Sequence, residues 1–285
     1  MTLTDPRKKS GKNAGRHCWG RNTEISRWHL PAIASLIFLL AGHAMAADAV
    51  LAPTGTLRAV YIVANLAQAR LDPQTGNVTG VVADITRELG RRADVPTTIT
   101  PLPTAAAVLE AVRNGNADIG YVAPNPERTG QVLYSQTYML VQQSALVRTD
   151  SHLQSVHDLD RAGLVIGINT DDSVGVWLQE RLKIARVRST SDYTLREAVR
   201  WLQDGTVVAF AGNRQRLAAN TKDVPGLRLL ADNFYGVPQT IAVPIDRPDR
   251  LARIEKALNE FRASGFLTEA VARSGVDGLD VAPAP

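Results

Sequence analysis

Gly115-Asn-Ala-Asp-Ile-Gly-Tyr-Val-Ala-Pro-Asn-Pro-Glu-Arg128 decides the reading of this chain. It follows an amphipathic run from Thr104 to Arg113, and Gly115 stands where a helix gives way to a left-handed residue. Ala117 to Val122 is short, apolar and bounded by turn residues, which predicts a buried parallel strand. Pro124 and Pro126 then stiffen a polar loop by fixing φ. In an open α/β sheet the loop leaving the C-terminal end of a strand is where ligands sit. A guanidinium there, Arg128, suits a carboxylate through two parallel hydrogen bonds; a solvated loop arginine is the alternative reading.

Leu109, Asn114-Gly115, Asp118, Glu127-Arg128 and Tyr134-Ser-Gln-Thr-Tyr138 together resemble the lobe 1 pattern of the family 3 periplasmic solute-binding proteins, the amino-acid-type binding components of ABC importers. That pattern runs L-x-x-G-x-x-D, strand, hydroxyl-rich loop ending in E-R, then F-S-x-P-Y. Here Ala123-Pro124-Asn125-Pro126 replaces the hydroxyl-rich loop. The resemblance covers roughly residues 54–275. It implies an α/β, two-lobed periplasmic-binding-protein fold of type II, with two hinge crossovers and a cleft between the lobes. The lobes would be 47–143 plus 238–285, and 144–237.

The start of the chain reads as an export signal. Residues 1–29 are basic, Leu30 to Leu40 is apolar, and Ala44-Met45-Ala46 has the small residues of a cleavage site. Eleven apolar residues fall short of the ~20 that span a bilayer. Cleavage after Ala46, hence a periplasmic protein, is the expectation. The chain carries 32 Lys+Arg against 28 Asp+Glu, but residues 1–46 hold seven basic and two acidic side chains. Their removal takes the formal charge from +4 to −1, so the high isoelectric point gives no argument for nucleic acid. Cys18 leaves with the leader, and with it any disulfide or thiol chemistry. No cofactor or metal is expected: His157 has no second His, Asp or Glu at ligand spacing.

Further along, Gly55 to Val63 reads as the first strand, followed by Ala64-Asn65-Leu66 where relatives place an aromatic residue. Asn65 either faces a ligand or bonds its own backbone. Gly80-Val-Val-Ala-Asp84-Ile resembles the family's helix entry, with Asp84 as a cap or helix-entry residue rather than a ligand contact. Met139 to Val147, with Gln142, Gln143 and Ser144 inside it, reads as the first crossing strand and Gln239 to Val243 as the returning one. Leu164 to Ile168 reads as a strand, Asn169-Thr-Asp-Asp-Ser173 as a loop, and Val174 to Leu182 as a helix. Free N–H groups at such a helix start favour an anion. The family grips a ligand carboxylate there with Q-G-[ST]-[ST]. This chain keeps Ser173 and places Asp171 and Asp172 before it, either to pair with a ligand cation or to cap the helix.

Tyr193 to Asp204 reads as a helix and Val207 to Ala211 as a strand. Aligned on Gly205 and Ala209, the family's G-x-x-D-A-x-x-x-D puts Asn213 where the last acid holds an amino group. A neutral amide grips an ammonium more weakly than a carboxylate does. Pro248 to Ser264 is amphipathic through Leu251, Ile254, Leu258 and Phe261, and the tail Ala282 to Pro285 is expected to be disordered.

The resemblance therefore implies a monomeric binding protein that closes on a small polar, carboxylate-bearing solute and presents it to an ABC permease in the inner membrane. Arg128 would hold the carboxylate, assisted by Ser173 and the backbone near Ala123. Asn65, Tyr121, Asn125, Asp172 and Asn213 would shape the rest. No enzyme activity is expected, because no nucleophile–base arrangement is present. Two alternatives stand beside this reading: a dehydratase of the cyclohexadienyl type, with Asp171 or Asp172 as acid, and an accessory or sensory binding protein without a permease.

Overall fold

The computed structural model of the chain describes residues 48–124, 130–170, 172–192 and 194–285. The expected leader and the site candidates Asn125, Arg128 and Asp171 lie outside the described residues.

The first lobe opens with β1 (Leu57–Ile62), a short pair β2 (Arg70–Leu71) and β3 (Val78–Thr79), then α1 (Val81–Ala93), β4 (Thr97–Leu102), α2 (Ala105–Arg113) and β5 (Ile119–Val122). β6 (Val132–Tyr134) leads into the long β7 (Met139–Arg148). The second lobe contains β8 (Val165–Asn169), α3 (Ser173–Arg181), β9 (Arg186–Thr190), α4 (Arg196–Gln203), β10 (Ala209–Asn213), α5 (Arg214–Thr221) and β11 (Leu227–Leu229). The chain returns along β12 (Tyr235–Pro244) and closes with α6 (Pro248–Ala263), α7 (Phe266–Ser274) and β13 (Leu279–Val281).

The strands run in the order β4-β1-β5-β12-β7-β10-β8-β9. β1 is parallel to β4 and β5, and β8 is parallel to β9 and β10. Between these two parallel halves lie β12 and β7, antiparallel to each other and each ten residues long. Ten residues of strand span ~33 Å, enough to belong to both halves. The far end of β12 pairs with β5 through Thr240↔Val122, and β7 pairs with β10 through Gln143↔Asn213.

Each half is buried on both faces, as parallel sheets are. In β1, Leu57, Ala59 and Tyr61 join the side packed by α1, while Val60 joins Val108 and Val112 of α2. In β10, Ala209 and Ala211 meet Ile166, Ile168 and Leu178, while Phe210 meets Trp201, Leu202 and Leu217. Alternation of period two therefore feeds two cores per lobe, and each fully buried Leu or Phe contributes about 1.5–3 kcal/mol.

Where the predicted boundaries fail, a specific contact explains it. α2 ends as expected, at Asn114 with Gly115 at φ 71°. α4 starts at Arg196 rather than Tyr193, because the Asp192 carboxylate accepts from the N–H groups of Thr194 and Glu197 and holds Leu195 at φ 64°. Asp84 does not cap α1. Gly80 is the cap, and Asp84 pairs with Arg273 of α7 at 3.0 Å. Of the tail, Ala282 is held: it follows β13, which pairs with β7, it is buried, and its carbonyl accepts from Arg262 Nε at 3.0 Å, while residues 283–285 are exposed and carry no regular structure. A strand of three residues carries too little periodicity to be read from sequence.

One buried charge cluster ties the first lobe together. The Asp118 carboxylate accepts from Arg58 N, Nε and Nη2 at 2.9, 3.0 and 2.9 Å. Arg250, almost fully buried in α6, lies 3.6 Å away and donates to the carbonyl oxygens of Asp118 and Val50. Asp118, part of the motif that opened the sequence reading, is thus a structural anchor.

Candidate functional site

A cavity of about 490 Å³ opens where the two lobes meet. That size suits a small-molecule site. The first lobe contributes the C-terminal end of β1 with its exit turn, Ile62, Ala64 and Asn65, and the exit of β5 at Ala123. The second contributes Asp172 and Ser173 at the start of α3, and Asn213, Gln215 and Arg216 where β10 becomes α5. The floor is the shared face of the crossing strands: Val141 and Gln143 from β7, Val237 and Gln239 from β12.

The turn after β1 is built by backbone. Asn65 donates its N–H to Ile62 O, and its carbonyl accepts from Gln68 N at 2.9 Å, so the main chain organises the turn while the residue lines the cavity. Beneath it, Gln68 Nε2 donates to Gln239 Oε1 at 2.9 Å and fixes that floor amide.

Asp172 takes the N-cap position of α3 but makes no side-chain cap bond. Its carboxylate instead accepts from Arg216 Nη2 at 2.6 Å, and both side chains are more than four-fifths buried. Neither sequence reading of this acid, cap or cation partner for a ligand, anticipated an internal arginine. Gly212 makes room for that arginine: a Cβ there would lie 3.0 Å from Arg216 Nη2. Among the described residues that line the cavity, Asp172 and Arg216 are the charged side chains.

Asn213 caps α5, its Oδ1 accepting from Arg216 N at 3.2 Å. Burial pushes the Tyr235 phenol above its usual pKa, against the opposing influence of Ser173. Tyr235 stacks on Trp177 of α3, with centroids 5.2 Å apart and planes 16° apart, and the Arg181 guanidinium covers the indole at 4.7 Å. This stack gives the α3 wall a rigid backing.

Of the residues expected at the site, Asn65, Ala123, Asp172, Ser173 and Asn213 come together around one cavity. Tyr121 does not. It is fully buried within β5, its hydroxyl 2.9 Å from Thr86 Oγ1 and its ring edge-on to Tyr138. Burial raises its phenol well above the usual value. In a strand buried on both faces every residue belongs to a core, and only the residues past its C-terminal end reach a ligand. Arg216, Gln143 and Gln239 were missed as site residues. The signal for the glutamines was present, as polar side chains inside otherwise apolar crossing strands.

The comparisons with known proteins agree with this fold. The family description "bacterial extracellular solute-binding proteins, family 3" matches residues 62–274. A glutamine-binding protein of Geobacillus stearothermophilus is 27% identical over 175 residues, 60% of this chain and 65% of its own length. The chain therefore spans slightly less than two thirds of that relative. Among solved structures, an ancestral cationic amino acid solute-binding protein superposes with a TM-score of 0.61 at 21% identity, covering 78% of this chain and 96% of the other. A binding component of an ABC transporter from Wolinella succinogenes, complexed with lysine, gives a TM-score of 0.60 at 22% identity, covering 77% and 95%. At these identities the two structures speak for the fold. The family match extends over most of the chain and both lobes, and the protein belongs to the bacterial extracellular solute-binding proteins, family 3.

Proposed function

We propose that the protein captures a small polar, carboxylate-bearing solute in the interlobe cleft and delivers it to an ABC importer. One observation carries this reading: five residues singled out from separate parts of the sequence converge on one cavity at strand ends, together with an ion pair. The relatives are binding proteins for glutamine and for cationic amino acids, which supports the solute class.

In this proposal residues 47–143 with 238–285 form one lobe and 144–237 the other. β7 and β12 are the hinge, and closure is a rotation about them. Arg128, five residues after Ala123 in the sequence, takes the solute carboxylate, and Ser173 with the α3 N-terminus meets it from the other lobe. The leader is cleaved and the mature chain works as a monomer in the periplasm.

The test is a thermal-shift screen of residues 47–285 against amino acids, dicarboxylates, keto acids and polyamines. A ligand at 100 times its dissociation constant adds ~2.7 kcal/mol of stability. The reading expects a clear rise in melting temperature with at least one carboxylate-bearing solute, abolished by Arg128→Ala. A blank screen, or a hit indifferent to Arg128→Ala and limited to solutes lacking a carboxylate, would contradict it.

A further inference from the structure

The C-terminal strand meets the second lobe in the middle of the crossing strands. Along one edge of β7, β10 ends with Asn213 opposite Gln143, and β13 begins with Leu279 opposite Val141. Position 142 is the joint between them. Gln142 N donates to Gly278 O at 2.8 Å, and Gln142 Nε2 donates to Asp280 Oδ2 at 2.6 Å. Side chains alternate across a strand. Val141 and Gln143 stand on the cavity side, so position 142 and its neighbour Gly278 face the other way, behind the crossing.

Arg214 runs over that rear face. A Cβ added at Gly278, where φ is +77°, would lie 2.9 Å from Cβ and Cδ of Arg214 and 3.0 Å from its Cγ. The arginine is rooted in the second lobe, where its Nη1 donates to Leu230 O at 2.8 Å. Its Nε pairs with the Asp277 carboxylate at 3.1 Å. Asp277 and Gly278 are rooted in the first lobe: Leu267 and Ala270 of α7 before them, and Leu279 after them, belong to the first-lobe core. Arg214 therefore joins the two lobes on the side away from the cavity, one residue after Asn213 at the cleft.

A rotation about β7 and β12 that brings the lobes together in front draws them apart behind. Closure stretches a contact behind the crossing, and the open-mouthed arrangement keeps it. We infer that residues 277–280 form a latch across the back of the hinge, fastened by Arg214 and Asp277, that biases the cleft toward open and so weakens its hold on the solute. This rests on the reading of β7 and β12 as the hinge of a solute-binding protein. Asp277 is 59% exposed, so the pair shifts the balance about two- to fivefold, the scale of an exposed ion pair. A solute that needs the closed form binds more tightly in proportion as that form is populated.

Pulsed dipolar spectroscopy tests the latch without a solute. Spin labels go on Gln74→Cys and Gln179→Cys, exposed positions on the two lobes, in a Cys18→Ser background. Asp277→Ala is expected to raise the share of short separations about two- to fivefold over wild type, and Asp277→Glu should restore the wild-type distribution. Raising KCl from about 20 to about 500 mM screens an exposed pair, so it should move wild type in the same direction and leave Asp277→Ala where it is. In calorimetry with L-glutamine and L-lysine, a probe that binds wild type should bind Asp277→Ala about two- to fivefold tighter. Distributions that coincide for wild type and Asp277→Ala, or a move to longer separations, overturn the inference, as does weaker binding by Asp277→Ala. With neither probe bound, the distance distributions decide alone. The solute-binding reading is decided separately by the thermal-shift screen, in which Asp277 plays no part.

Discussion

Asp118→Ala should destabilise the protein by about 3–5 kcal/mol, the range for removing one partner of a buried ion pair. The carboxylate is 1% exposed and receives three hydrogen bonds from Arg58, two of them from the guanidinium in a forked pair. The larger consequence falls on Arg250. Burial already lowers the pKa of that guanidinium, and the Asp118 charge is the main influence opposing it. With the Asp118 carboxylate gone, that buried cation keeps the main-chain carbonyls of residue 118 and Val50 as hydrogen-bond partners. Because the desolvation of Arg250 is the penalty, Asp118→Ala combined with Arg250→Met should be more stable than Asp118→Ala alone. Urea unfolding reads both as shifts of the midpoint at constant slope. A loss under ~1 kcal/mol for the single variant, the level of an exposed pair, would show that the cluster is not the anchor described.

The second large effect concerns affinity. Removing either Asp172 or Arg216 should weaken solute binding by about 2–5 kcal/mol, roughly 30-fold to several-thousand-fold. Each truncation breaks the 2.6 Å ion pair in the cleft wall, where the two side chains are 14% and 18% exposed. The double variant should cost much less than the sum of the two, because the pair acts as a unit. Titration calorimetry on the best solute, with melting temperature as a control for folding, measures the cycle. Single variants that bind within threefold of wild type would remove the ion pair from the site.

How much of this was legible beforehand depends on what each residue answers to. Long-period signals came through: the amphipathic α2, the apolar β5 and the Gly115 stop follow from local patterning, and the two crossing strands were visible as a long β-type run and a later return. Asn65, Ala123, Ser173 and Asn213, taken from strand exits and from the family pattern, all line the cavity, and strand ends are where an α/β sheet meets its ligand.

The failures are of a different kind. Tyr121 sits two residues before Ala123, and alternation alone does not say where a short strand ends and its exit loop begins. Arg216 lies in the first turn of α5, where an arginine reads as solvated; its partner Asp172 is 44 residues away in sequence. Gln143 was visible as a polar residue in the crossing strand, but its place at the cavity depends on β7 pairing with β10 and β12, whose partner residues lie 70 or more positions on. Long-range pairs are set by the sheet order, and no window of sequence contains them. The same holds for Asp84, whose partner Arg273 belongs to the last helix.

The central claim is that the cleft between the lobes is where a solute binds, and filling it is the most direct test. Ala123 lines the cavity at the exit of β5, half-buried, so an indole placed there would project into the solute volume without disturbing a core. The strongest hit of the thermal-shift screen should be titrated calorimetrically into wild type and Ala123→Trp side by side. The account predicts one site per chain in wild type and at least a 100-fold loss in the variant, with the ligand-free melting temperature unchanged. Equal affinity in the two proteins would place the binding site elsewhere and contradict the account.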